Sequence, residues 1–187
     1  MSSWSARTTD GSFSLVIEAG ALRDLDRMCA AAGNVETGGV LVGRYSADLT
    51  AAIVLEVTPP PPDSQQGSSW FNRGIAGLRA MLRRRWRSKE RTYYVGEWHF
   101  HPAAHIEPSE EDIAQMYRIC HDPNYHCGEP VLLILGRLSD GEERAARAFV
   151  FPLGERHMEL VHVANPHEAS FCQEVKFFYD RQRRCRF

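Results

Sequence analysis

The chain has 187 residues, a formal net charge of −2, 43% hydrophobic and 25% charged residues, which suits one globular domain with a sizeable core. That charge balance argues against a general nucleic-acid or acidic-lipid binder, and no stretch approaches the ~18 apolar residues of a membrane span. The first twenty residues show no basic region followed by an apolar run, so no signal peptide is expected and the protein reads as cytoplasmic.

Residues 12–18, SFSLVIE, alternate apolar and polar side chains and predict a strand. ALRDLDRMCAAAG follows, with Leu22, Leu25, Met28 and Cys29 on one helical face and Gly33 as its stop. ETGGVLVGRYS and AAIVLEVT predict two strands joined by a short turn around Ala47 and Asp48. The proline-rich PPPPDSQQGSS (59–69) excludes a central strand or a helix and predicts a loop. RGIAGLRAMLRRRWRSK places Ile75, Leu78, Leu82 and Trp86 at helical spacing, with Arg79, Arg83 and Arg87 along another face. TYYVGEWHF predicts a strand rich in aromatic and β-branched residues, SEEDIAQMYRICH a helix, VLLILGRL a buried strand, and RAARAFVF and MELVHV two more strands. A domain over residues 1–165 is expected, followed by a tail (166–187) that ends in the basic RQRRCRF. There is no internal repeat, and the alternation of strands and helices predicts a mixed α+β fold, a mixed β-sheet flanked by helices.

The chemistry concentrates in GEWHFHPAAHIEPSEED, residues 96–112. In an extended segment His99 and His101 point to one side and Phe100 to the other. Pro102 ends the regular ladder and turns the chain into a loop. Ser109 then opens a helix with Asp112 in its first turn. Two imidazoles and a carboxylate suit zinc, and three protein ligands leave a fourth position open, as catalytic sites require. Ser109 and Asp112 also fit a capping box, which would hold a ligand in place as well as start a helix.

The pattern H-x-H-P, six residues, S, two residues, D resembles the signature of the JAB/MPN family of zinc metallopeptidases, also called JAMM proteases. ETGGVLVGR resembles the upstream strand of that family, with Glu36 ahead of Gly38, Gly39 and Gly43, and the order of elements is similar from about residue 12 to 163. The resemblance implies an MPN-like fold in a cytidine-deaminase-like three-layer architecture, with one zinc per chain. It implies zinc ligands at His99, His101 and Asp112, a general base at Glu36 and an oxyanion-stabilising hydroxyl at Ser109. Phe100 departs from the Ser or Thr common at its position and is expected to tune packing. Glu97 shares a face with the two histidines, so alternation leaves it open as an alternative base. Trp70 and Phe71 resemble residues that border the substrate cleft, or else they anchor their loop.

By the same resemblance the activity is isopeptidase or peptidase cleavage after the C-terminal glycine of a ubiquitin-like protein, deubiquitinase-like deconjugation or maturation. The compact build resembles the prokaryotic branch, some of whose members work in bacterial systems with E1-like and E2-like proteins, including anti-phage operons. The modifier's tail is expected to lie extended, adding a strand at a sheet edge. The alternatives are processing of a sulfur-carrier protein in cysteine or cofactor biosynthesis, or a catalytically silent MPN scaffold. No nucleic-acid or membrane partner is expected.

Five cysteines (Cys29, Cys120, Cys127, Cys172 and Cys185) read as reduced thiols. CHDPNYHC (120–127) offers two of them with two histidines, but the two-arm spacing of a structural zinc site is missing. A helix end with packed thiols is the simpler expectation there. The arginine-rich helix similarly reads as a solvated face, or as one that meets an acidic protein partner.

Overall fold

The computed structural model describes residues 2–102, 105–137 and 144–163. The expected tail 166–187, with Cys172 and Cys185, lies outside them. In chain order the elements are β1 (Trp4–Arg7), β2 (Ser14–Ile17), α1 (Ala19–Ala32), β3 (Thr37–Tyr45), β4 (Ala51–Val57), β5 (Gln65–Gln66), β6 (Phe71–Asn72), α2 (Leu78–Arg87), β7 (Tyr93–Phe100), α3 (Glu110–His121), β8 (Val131–Leu135), β9 (Ala146–Val150) and β10 (Met158–His162). The mixed α+β expectation holds: three helices accompany an eight-stranded mixed sheet among the described residues.

That sheet closes on itself in the order β1-β10-β9-β8-β7-β3-β4-β2. The β2–β4 and β7–β8 pairs are parallel, and every other pair is antiparallel. β1 was not anticipated. WSAR is four residues long without clear alternation, and it becomes a strand because β2 on one side and β10 on the other supply its hydrogen bonds.

Strand alternation divides the apolar side chains between two cores. Leu15, Ile17, Leu41, Trp98, Phe100 and Leu133 pack with Ala21, Leu25 and Cys29 of α1. Val40, Val42, Tyr94, Leu132, Ile134 and Phe149 pack with Met116 and Ile119 of α3. Each fully buried aliphatic side chain contributes about 1.5–3 kcal/mol, so the helices are held chiefly by these contacts. α1 ends at Gly33, whose φ of 64° suits glycine.

Two expectations need correction. The 59–69 stretch contains neither a helix nor a central strand, as its prolines require, yet Gln65–Gln66 pairs with Phe71–Asn72 as a small hairpin. In α2 the apolar residues do not form one buried stripe. Leu78, Met81 and Leu82 pack partly against the second core, whereas Ile75 precedes the helix at 70% exposure and Trp86 is 54% exposed. No helix among the described residues is long and apolar enough to cross a membrane.

Candidate metal centre

The centre lies where the C-terminal end of β7 meets the first turn of α3. The β3–β7 ladder carries a register shift beside Gly96, and beyond it the alternation runs regularly. Trp98 and Phe100 therefore enter the α1 core, while Glu97 and His99 stay off it. Phe100 points away from the histidines, as expected. Pro102 has no amide hydrogen to extend the strand, and the last backbone bond at this end runs from the His101 N–H to the Leu135 carbonyl at 2.8 Å.

Ser109 caps α3 in a reciprocal box. Its hydroxyl accepts from the Asp112 N–H at 3.1 Å and donates to Asp112 Oδ2 at 2.7 Å, and its own N–H donates to the same oxygen at 2.8 Å. That leaves Asp112 Oδ1 to face His99, whose Nδ1 lies 2.9 Å away. One ligand atom each from His99, His101 and Asp112 fall within 4.8 Å of one another, the arrangement that can hold a metal ion. Three nitrogen and oxygen donors, one from β7, one just past its end and one from α3, match zinc chemistry. The buried Nε2 of His99 has no hydrogen-bond partner.

Burial alone would lower the His99 pKa. The hydrogen bond to Asp112 and the charges of Asp112 and Glu97 outweigh it and raise the ring to about 9. Asp112 moves the opposite way: burial works against its charge, but His99 and the Ser109 donors hold the carboxyl far below its ordinary range. His99 thus stabilises the metal-free fold fully below its ordinary 6.5, and that contribution is lost as pH rises through about 9. The Asp112 contribution is present above the ordinary carboxylate range and lost as pH falls below it.

Glu36 sits one residue before β3, and the ladder there pairs Thr37 with Phe100 and Gly38 with His99. One step past the ladder brings Glu36 to the level of His101. Its N–H donates to the Gly67 carbonyl at 2.8 Å, which ties it to the hairpin loop. Burial holds its carboxyl above the ordinary range, while His101, Asp112 and His99 are the charged groups that act on it. Gly38 is required at its position: a Cβ there would lie 2.4 Å from the Trp98 carbonyl oxygen and 2.9 Å from His99 Cδ2.

Phe71 packs edge-on to the His99 ring, centroids 5.4 Å apart, so the β5–β6 hairpin borders the centre. Its neighbour Trp70 is 51% exposed. In the connecting loop His105 is exposed, and Glu107 pairs with Arg147 at 3.0 Å.

Glu97, which alternation left open as an alternative base, is enclosed by its surroundings. Its side chain is 0% exposed and ion-paired to Arg73 at 2.7 Å, with Tyr94 and Gln115 also donating to it at 3.3 and 3.0 Å. Burial would raise its pKa, but His99 and Arg73 hold the carboxyl below its ordinary value. A carboxylate saturated by three donors and closed to solvent is poorly suited to take a proton from water. Arg73 escaped the sequence reading altogether, since nothing in RGIAGLRAM distinguishes a buried arginine from its exposed neighbours.

CHDPNYHC does not converge on a metal. Cys127 Sγ lies 3.1 Å from the Tyr45 hydroxyl, and Cys120 Sγ lies near the Tyr117 carbonyl and His121 Nδ1. Among the described residues only His99, His101 and Asp112 form a metal-competent group. Cys29, Cys120 and Cys127 are free thiols, and burial pushes Cys29 and Cys127 up to about 12.

Comparison with known proteins bears on the family of the chain and on its fold. A family model described as prokaryotic homologs of the JAB domain matches residues 18–150. A protein of Enterobacter hormaechei subsp. hoffmannii (strain UCI 50), named CD-NTase/cGAS isopeptidase, is 41% identical over 148 residues, covering 79% of this chain and 81% of its own. The solution structure of protein DSY2949 from Desulfitobacterium hafniense superposes with a TM-score of 0.53 at 23% identity, covering 76% of this chain and 87% of that one. That last likeness concerns the fold alone.

Proposed function

The chain belongs to the prokaryotic JAB family, and from that premise we propose that it is a zinc-dependent isopeptidase that cuts after the C-terminal glycine of a ubiquitin-like protein. The conjugates it opens are taken to be of the CD-NTase/cGAS kind that the Enterobacter relative is named for, within a bacterial anti-phage system that also supplies E1-like and E2-like proteins. The observation that carries the reading is the convergence of His99, His101 and Asp112 on one point, with Glu36 entering the strand alongside. Helix α1 against one face of the sheet and α2 and α3 against the other support the MPN-like layering.

His99, His101 and Asp112 would hold the metal. Bound zinc supplies Lewis acidity for the scissile carbonyl and an acidified water as nucleophile. Glu36, raised by burial, accepts the water proton on its carboxylate and returns it to the departing amine. The bond broken is the amide after the terminal glycine, and the products are a free carboxylate and a free amine. Ser109 fixes Asp112 through its two hydrogen bonds to Oδ2; a serine hydroxyl has a single proton to donate, so to meet developing negative charge it turns that proton from Asp112 toward the oxyanion. Phe71 lines the approach beside His99, with Trp70 next to it on the hairpin.

The test is a ubiquitin-like protein joined through its terminal glycine to a nucleotidyltransferase lysine. Cleavage at that bond, abolished by a chelator and restored by zinc, is the expected result. A protein that takes up no zinc and leaves the conjugate intact refutes the reading. A sulfur-carrier fusion in the same screen separates the alternative substrate class.

Metal uptake depends on pH with a definite sign. In the metal-free chain His99 is protonated at neutral pH, with its pKa raised to about 9, and the metal must displace that proton. Apparent zinc affinity therefore rises about tenfold per pH unit up to that pKa, and roughly one proton leaves per metal bound at pH 7. Calorimetry in buffers of different ionisation enthalpy counts the proton, and an affinity flat between pH 6 and 8 would contradict this.

A further inference from the structure

A histidine that binds a metal through one ring nitrogen presents the other to a hydrogen-bond acceptor, which fixes both the tautomer and the ring orientation. The two nitrogens of His99 face different carboxylates. Nδ1 lies 2.9 Å from Asp112 Oδ1, whereas the buried Nε2, without a hydrogen-bond partner in the metal-free chain, faces Glu97 Oε2 across 3.8 Å. Asp112 belongs to the group that can share one ion, and Glu97 does not. Nδ1 therefore looks toward the common point and Nε2 looks away from it, into the protein.

What Nε2 looks at is a built site. Arg73 donates to Glu97 Oε1 through Nε at 2.9 Å, and its Nη1 and Nη2 reach the Gly74 carbonyl and the Tyr125 hydroxyl. Both members of the pair are buried, with side chains 3% and 0% exposed. Gln115, three residues after Asp112 on α3, donates to Glu97 Oε2, the oxygen that faces His99. Arg73 directly follows β6, whose Phe71 packs on the His99 ring. Groups from the hairpin side, from α3 and from β7 itself thus meet at one carboxylate behind the metal ligand. A buried ion pair gains little net stability once desolvation is counted, and matched apolar residues would often serve a fold as well. Its position behind a ligand calls for another role.

We propose that the Glu97–Arg73 pair is a positioning device for His99: it holds the ring with Nε2–H toward Glu97, makes Nδ1 the metal-binding nitrogen, and ties that orientation to the hairpin bordering the centre. This rests on the metal-centre reading above and extends it to the residues behind His99. Arg73 balances the Glu97 charge and orients the carboxylate, while Gln115 ties the same carboxylate to the helix that carries Asp112.

The first measurement uses the full-length wild-type chain, labelled with nitrogen-15 and loaded with one equivalent of zinc. Long-range proton–nitrogen correlation spectra report which His99 nitrogen carries the proton. The expected result is protonation at Nε2 with the metal shift at Nδ1. Metal binding through Nε2 overturns the proposal while leaving the metal centre itself standing, whereas a wild-type chain that binds no zinc defeats both.

The second measurement uses the double variant Arg73→Met with Glu97→Gln, which removes both charges without leaving either one buried alone. It is expected to keep the wild-type circular dichroism but to bind cobalt(II) about 10- to 100-fold more weakly, with altered visible absorption bands. A double variant with wild-type cobalt affinity and spectrum reduces the pair to a structural one and overturns the proposal.

Discussion

A Glu36→Gln variant keeps one zinc per chain and cleaves its conjugate about 10²–10⁴-fold more slowly, the usual contribution of a positioned acid–base group. The metal is retained because Glu36 is not among the three residues whose ligand atoms converge. The loss is large because, among the described residues, the glutamates on either side of the histidines in sequence are engaged elsewhere. Glu97, nearest in sequence to the histidines, is closed to solvent and bound by Arg73, Tyr94 and Gln115. Glu107 is exposed and engaged with Arg147. Glutamine also preserves the local packing, and the tether of residue 36 to the hairpin is a backbone bond from its N–H to Gly67, so it survives the substitution. Metal analysis by mass spectrometry alongside turnover is the check. Full turnover with zinc bound would remove Glu36 as the base.

Asp112→Ala is expected to lose the metal and to weaken the fold at once. The side chain faces His99 through Oδ1 and both donors of Ser109 through Oδ2. Removing a direct ligand weakens zinc binding beyond the 10–100-fold typical of a supporting residue. The Ser109 hydroxyl still accepts from the residue 112 N–H, but the two bonds to Oδ2 are lost at about 1 kcal/mol each, and His99 is left without its hydrogen-bonded counter-charge. Asp112→Asn separates the two effects: the amide oxygen can still accept from Ser109, so the metal-free fold is largely kept while the negative charge is gone. Competition against a chromophoric chelator reads the first effect, and thermal unfolding of metal-free protein reads the second. Unchanged zinc affinity in both variants would reduce Asp112 to a helix cap.

The parts of the centre that could be read from sequence are those within one short segment. His99 and His101 follow from strand alternation, and Ser109 and Asp112 from helix-capping rules, so a run of fourteen residues carried its own geometry. Glu36 was reached only through resemblance, because its distance from His101 along the chain is bridged by the β3–β7 register. Glu97 was seen to share the histidine face but not to be saturated, since its partner Arg73 lies 24 positions away and arrives through the hairpin. The hairpin was hidden by its own prolines and glycines, which mark a loop but do not say that two residues on each side will pair. In α2 the 3.6-residue spacing correctly gave a helix, but it overstated burial at Ile75 and Trp86. Periodicity reports a face, and only packing decides what covers it.

The closing pair of strands has a consequence for how the chain acquires its structure. Ala6 of β1 pairs with His162 of β10, so the sheet is shut by segments from opposite ends of the described chain. Contacts of such long sequence separation form late and slowly, because the entropy of loop closure is spent before they contribute. During synthesis β1 leaves the ribosome first and must wait for about 150 residues more, a delay on the order of 10 s at ordinary translation rates. Over that interval β2 has β4 beside it but lacks its other neighbour, and α1 already has part of the surface it will rest on. The nascent chain is therefore an open, one-sided sheet, and the seam between first and last strands turns it into a sealed shell after the segment from His99 to Asp112 has emerged.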